Sequence, residues 1–103
     1  MLLALTKKAV LEYDESLDDG RFVAKHEYQD GWGFVLAARE YLHNHQKTLK
    51  KQNAEAWRDA QKVLDQLQKA WPDAEPPAGP VIAVADLYAN QARLELALAP
   101  YLY

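Results

Sequence analysis

The sequence predicts an all-α fold, an antiparallel up-down-up-down four-helix bundle, from three observations. Half of the 103 residues are apolar, glycine and proline are scarce, and strong helix formers such as alanine and leucine are frequent. Apolar residues recur three and four positions apart in four separate stretches, which is the helical period. Short connections between such stretches favour antiparallel neighbours, and a chain of this length builds one domain, residues 1–103.

The first helix is predicted over residues 2–17. Its buried stripe alternates steps of three and four residues: Leu3, Thr6, Val10, Tyr13 and Leu17. Gly20 is expected to end the helix, because glycine enters the left-handed conformation at little cost. Phe22 or Val23, in the connection that follows, should then tuck under the corner between the first two helices.

The second helix, predicted over residues 25–49, is the longest. Its inward row is Tyr28, Gly31, Val35, Ala38, Leu42, His45 and Leu49. Gly31 and Gly33 lie inside this helix, where each costs about 1 kcal/mol relative to alanine. Because Gly31 falls on the buried row, we expect it to allow a close approach by a neighbouring helix.

Asn53 is a good N-cap for a third helix, predicted over residues 54–71 and stopped by Pro72. Its core stripe is Trp57, Ala60, Leu64, Leu67 and Trp71. A proline-bearing linker, residues 73–79, precedes a fourth helix predicted over residues 80–98, with Pro80 in the first helical position and Pro100 after its end. Val84, Leu87, Gln91, Leu94 and Leu98 should point inward, and the tail Tyr101–Tyr103 should pack on the bundle or on a partner.

Several function classes are not expected. The chain has no cysteine, which removes disulfides and zinc–thiolate sites, and its net charge of −3 without a basic patch argues against nucleic-acid binding. No apolar run approaches the roughly 20 residues of a membrane span. An enzyme is not predicted, because Ser16, the lone serine, has no base placed near it, and Glu40-x-x-His43 lacks the second such motif of a di-iron bundle.

An acidic corner between the first two helices is the candidate site. Carboxylates at the C-terminal end of a helix are unfavourable by very roughly 0.3–1 kcal/mol each, so their retention there suggests a cation partner. Carboxylates with one imidazole suit a hard or borderline cation such as iron, manganese or calcium. The predicted metal site comprises Glu12, Glu15, Asp19, His26, Glu27 and Asp30. The alternative is a solvated acidic corner, in which Glu27 and Asp30 only complement the dipole of the second helix.

The same corner resembles a known family. Tyr13 with the acidic residues after it, the run Asp19-Gly20-Arg21-Phe22-Val23, and Glu27-Tyr28-Gln29-Asp30 look like the soluble extracytoplasmic domain of bacterial FTR-type high-affinity iron permeases. The proline-bearing linker before Val81 fits that layout too. The chain departs from the family in having Asp30 where glutamate is common, and Gly31 and Gly33 where helix formers are usual. It also lacks the membrane helices with their paired-glutamate motifs, which puts transport itself outside this chain.

The resemblance implies a non-enzymatic periplasmic domain that collects or senses iron or another divalent metal for a membrane permease component. Its targeting segment is then expected to be absent from this sequence. The alternative is a helical regulator located in the cytoplasm. The rival interpretation is a structural module that binds another protein or a second copy of itself as a homodimer, through an aromatic face or the Tyr101–Tyr103 tail.

Overall fold

The computed structural model describes the backbone of residues 2–102 and the side chains of residues 2–101. The chain folds into four helices and one small hairpin, in the order α1 (Leu2–Glu15), β1 (Leu17–Asp18), β2 (Arg21–Phe22), α2 (Lys25–Asn44), α3 (Gln46–Gln68) and α4 (Val84–Leu102). The predicted all-α class with four helices is confirmed. The four predicted stretches are the right ones, although several of their boundaries differ.

The helices pack in a closed order, with α1 against α2 and α4, and α3 against α2 and α4. Tyr13 near the end of α1 meets Tyr28 near the start of α2, whereas Leu2 shares a cluster with Leu42 near the other end of α2. These contacts agree with antiparallel neighbours for this pair. The complete up-down-up-down order stays a prediction.

The core consists of two apolar clusters along the bundle. The first, which we call the corner cluster, lies beneath the hairpin and is formed by Ala9, Val10, Tyr13, Tyr28, Val35, Leu67, Ala70, Trp71 and Leu87. The second fills the opposite end with Leu2, Ala38, Leu42, Ala60, Leu64, Leu94 and Leu98. Most of the predicted stripe residues are therefore inside. Gln91 is also buried as predicted, and its side-chain amide has no hydrogen-bond partner among the described residues.

The first corner is a hairpin, which the sequence interpretation missed. Helix α1 ends at Glu15, two residues before the predicted end, and Leu17 and Asp18 pair with Phe22 and Arg21. The turn between them is Asp19-Gly20, with φ of 52° and 77°. Positive φ at both central residues is typical of the type I′ turn that Asp-Gly favours. Gly20 therefore serves the hairpin turn and does not stop the helix.

Ser16 ties the hairpin to both helices. The sequence interpretation placed it within the first helix, but it lies just beyond α1 and is fully buried. Its hydroxyl donates to the Tyr13 carbonyl oxygen at 2.6 Å. Its own carbonyl oxygen accepts from the backbone N–H groups of Val23 and Ala24, at 2.8 and 3.2 Å. A small hydrogen-bonding side chain thus closes the corner, and this explains Ser16 without any catalytic role.

The boundary between α2 and α3 also differs from the prediction. Helix α2 ends at Asn44, five residues early, because the chain turns at His45, which is exposed and not on the apolar row. The residues that follow are again helical, and Asn53 interrupts α3 with an extended backbone (φ −161°, ψ 97°). The Asn53 side-chain oxygen accepts from the Ala56 N–H at 3.0 Å, which confirms the predicted cap.

The end of α3 and both ends of α4 differ from the prediction as well. Helix α3 ends at Gln68, and the chain then tightens so that the Trp71 N–H bonds the Gln68 carbonyl. Helix α4 begins at Val84 instead of Pro80 and continues past Pro100. A proline so near the end removes only one hydrogen bond of the last turn. The Tyr101 hydroxyl lies 2.6 Å from the Asn53 carbonyl oxygen, so this part of the tail packs on the bundle, while Tyr103 lies outside the described residues.

The linker is fastened to the start of α2. The Tyr28 hydroxyl donates to the carbonyl oxygen of Asp73 at 3.2 Å, and the Gln29 amide donates to that of Ala74 at 3.3 Å. Lys25 and Glu75 form an ion pair at 2.8 Å. These contacts place the linker beside the corner and over the corner cluster.

Gly31 and Gly33 form a matched pair for testing the packing of α2. A Cβ atom at Gly31 would lie 2.9 Å from Cζ2 of Trp71 and 3.0 Å from the Ala9 carbonyl oxygen, which confirms the predicted close approach. A Cβ at Gly33 would meet nothing within 4 Å. We expect Gly31→Ala to destabilise the fold by about 1–3 kcal/mol, and Gly33→Ala to stabilise it by about 1 kcal/mol. Urea unfolding measures both, and equal shifts would contradict the close approach.

Candidate metal site

The candidate site lies where the last turn of α1 meets the first turn of α2. Glu12 and Glu15 come from α1, and Glu27 comes from α2. Each offers a carboxylate oxygen, and the three oxygens lie within 4.8 Å of one another. Oxygen atoms bound to one Ca²⁺ at 2.3–2.6 Å are separated by at most about 5 Å. The three carboxylates are therefore close enough to share one cation.

Aromatic rings beneath the site hold its two helices in register. Tyr13, next to Glu12, has its ring centroid 5.0 Å from that of Trp71 and 5.4 Å from that of Phe22. Tyr28, next to Glu27, lies 5.0 Å from Phe22. The Trp71 indole N–H also donates to the Tyr28 carbonyl oxygen at 3.0 Å. These buried contacts fix the backbone next to Glu12 and Glu27.

The electrostatics of the site centre on Glu12. Its pKa is raised, first by burial and then by the negative charges of Glu15, Glu27 and Asp30, while Lys8 acts in the opposite direction. The raised pKa means that the folded protein disfavours the ionised form of Glu12. A bound cation would relieve that repulsion, and it would compete with protons for the same oxygen atoms.

The structure brings together only part of the predicted site. Glu12, Glu15 and Glu27 converge, and Asp30 contributes to their field without belonging to the group of close oxygens. Asp19 and His26 are not in that group either: Asp19 occupies the hairpin turn, and His26 is exposed on the first turn of α2. Without an imidazole, the donor set consists of carboxylate oxygens alone, which suits hard cations.

Two further residues at the rim were missed from the sequence. Lys8 lies one helical turn before Glu12, and this four-residue spacing was visible in the sequence. Tyr88 of α4 donates its hydroxyl hydrogen to the Asp14 carboxylate at 2.8 Å. Burial, followed by this hydrogen bond, raises the pKa of Tyr88. The contact joins α4 to the end of α1, and no spacing rule connects residues so far apart in the chain.

The comparisons with known proteins agree with the resemblance drawn from residues 13–30. A family model described as the iron permease-associated 4-helix bundle domain matches residues 1–100. No curated protein and no solved structure matches the chain significantly. Among residues 2–102, no helix combines the length and the apolar character needed to cross a bilayer.

Proposed function

The chain belongs to the iron permease-associated 4-helix bundle domain family, and from this membership we propose that it collects or senses iron, or another divalent cation, for a membrane permease. In this proposal the domain is non-enzymatic and lies on the periplasmic side of the membrane. The observation that carries the proposal is the convergence of three glutamate oxygens within 4.8 Å at the first corner.

Cation binding would follow from charge and rigidity. The carboxylates of Glu12, Glu15 and Glu27 would neutralise a divalent cation, while the corner cluster holds their backbones at a fixed separation. Glu12 and Glu27 are half-buried and Glu15 is exposed, so water would complete the coordination shell. We expect weak, reversible binding, which suits a domain that passes its cation to a permease.

Calorimetric titration of the metal-free protein with iron(II) under anaerobic conditions, manganese(II) and calcium tests the proposal. We expect saturable binding of at least one of these cations, and about tenfold weaker affinity in Glu12→Gln and Glu27→Gln. Glu40→Gln is the matched control, because Glu40 is an exposed glutamate of α2 outside the group of close oxygens. Silence from all three metals, or equal losses in the control, would refute the site.

The stability of the metal-free protein provides an independent test of the same site. Because burial and neighbouring acids raise the pKa of Glu12, its ionisation at neutral pH opposes folding. The stability that protonated Glu12 contributes is complete below its unfolded-state pKa and is lost as the pH rises through its higher folded-state pKa. Glu12→Gln should therefore melt higher than wild type in chelator, and this order should reverse at saturating metal. An unchanged order in metal would argue for a solvated acidic corner.

The periplasmic placement can be tested by thiol labelling, because the chain has no cysteine of its own. Gln52→Cys introduces one thiol at an exposed position of α3, far along the chain from the corner. The cells should carry the Gln52→Cys substitution in the native gene. A membrane-impermeant maleimide should then label the protein while the cells are intact. Labelling only after lysis would contradict the periplasmic location and favour a cytoplasmic one.

A further inference from the structure

A groove between α3 and α4 is the feature of this molecule that the proposed function does not use. It consists of two adjoining hollows of about 220 and 390 Å³. Both hollows are lined by Asp59, Leu96 and Ala97. Leu96 is the most exposed large apolar side chain of the described residues, at 76%. A single exposed leucine is ordinary on a protein surface, so it is the arrangement of charges around Leu96 that distinguishes this groove.

Charged residues of opposite sign lie at the two ends of this groove. The hollow on one side of Leu96 includes Glu55, and the hollow on the other side includes Lys62 and Arg93. Asp59 lies where the two hollows meet. None of these four charged side chains takes part in the ion pairs within residues 2–102. The groove therefore has Glu55 at one end, Lys62 and Arg93 at the other, and Asp59 and Leu96 between them.

We propose that this groove is the interface of a homodimer, with a second copy of the chain as its occupant. A two-fold axis near Leu96 would place Glu55 of one copy against Lys62 and Arg93 of the other, twice over. Such an isologous contact is self-complementary, because each residue pair occurs in both directions. The two Leu96 side chains would bury each other at the centre, and the charges would form the rim and set the register.

Sedimentation velocity across a concentration series tests the dimer against the 11.7 kDa monomer mass. We expect the wild type to approach twice that mass, and Leu96→Glu to weaken the dimer by about tenfold or more. Leu36→Glu is the matched control, because Leu36 is an exposed leucine on α2. A monomeric wild type at every concentration up to about 1 mM would overturn the proposal, and so would equal effects of the two substitutions.

Charge reversal gives a test that does not depend on Leu96. One double variant, Glu55→Lys with Asp59→Lys, carries an all-basic groove, and another, Lys62→Glu with Arg93→Glu, carries an all-acidic groove. Each should be monomeric alone, because like charges then face each other across the axis, and circular dichroism should show both to be folded. Mixing the two should restore the dimer. A mixture that stays monomeric would overturn the two-fold arrangement.

Discussion

Replacing Trp71 with alanine should bring the fold close to its limit of stability. Trp71 is 2% exposed, packs edge-on against Tyr13, and bonds the Tyr28 carbonyl oxygen through its indole N–H. Its ring also fills the space over Gly31. Removing a buried tryptophan costs about 3–5 kcal/mol, whereas a domain of this size has about 5–15 kcal/mol in total. Urea unfolding followed by circular dichroism measures the loss.

Trp57→Ala is the control for this prediction. Trp57 is half-buried at the other end of the bundle, and its indole N–H donates to the Leu42 carbonyl oxygen at 3.3 Å. The Lys50 ammonium nitrogen lies over this ring, 4.2 Å from the ring centroid. With less area removed from water, we expect a loss of roughly 1–2 kcal/mol. Comparable losses in the two variants would show that Trp71 does not hold the corner together.

Trp71→Ala should also weaken the candidate metal site, through the residues next to its glutamates. The indole fixes the backbone of Tyr28, the neighbour of Glu27, and packs on Tyr13, the neighbour of Glu12. Loss of this support would widen the distribution of distances among the glutamate oxygens, which lowers affinity through lost preorganisation.

The sequence predicted the helices well because their apolar periodicity is strong, and it predicted the boundaries poorly for identifiable reasons. The apolar spacing of the sequence continues in register from Leu42 to Leu49, so periodicity alone gives no sign of the break at His45. Asn53 was recognised because a cap depends on local chemistry, which the sequence displays. Asp19-Gly20 is also a known signal for a hairpin turn, but Gly20 was interpreted as the end of the first helix.

The sequence predicted where the acidic residues gather, but not which of them lie close together. Glu12 and Glu15 share a face of α1 because they are three residues apart. The chain reverses between α1 and α2, and this places Glu27 beside them. Asp19 was misplaced because helical spacing was extended through a segment that forms a hairpin. The contact between Tyr88 and Asp14 joins distant parts of the chain, so it required the three-dimensional arrangement of α1 and α4.

Alkaline pH should destabilise this domain through two buried tyrosines. Burial, and then the mutual proximity of the two phenols, raises the pKa of Tyr13 to about 12. Burial, and then the charge of Asp73, raises the pKa of Tyr28 to about 12. In the unfolded chain both ionise near pH 10. The stability that the neutral phenols provide is therefore complete below pH 10 and is lost as the pH rises towards 12, by about 2–3 kcal/mol for each tyrosine.

Single phenylalanine variants isolate this effect from the lysines that titrate in the same range. Tyr28→Phe loses the hydrogen bond to the Asp73 carbonyl oxygen, so it should start about 1 kcal/mol less stable at neutral pH. Its unfolding free energy should then fall less steeply than that of wild type between pH 10 and 12, because one of the two fully buried phenols is no longer there to ionise. Tyr13→Phe should behave in the same way at a smaller initial cost, since its hydroxyl lies 3.5 Å from the Ile82 carbonyl oxygen. An alkaline slope identical in wild type and both variants would mean that these phenols reach solvent before the fold opens, and the corner cluster would then have to be looser than its packing indicates.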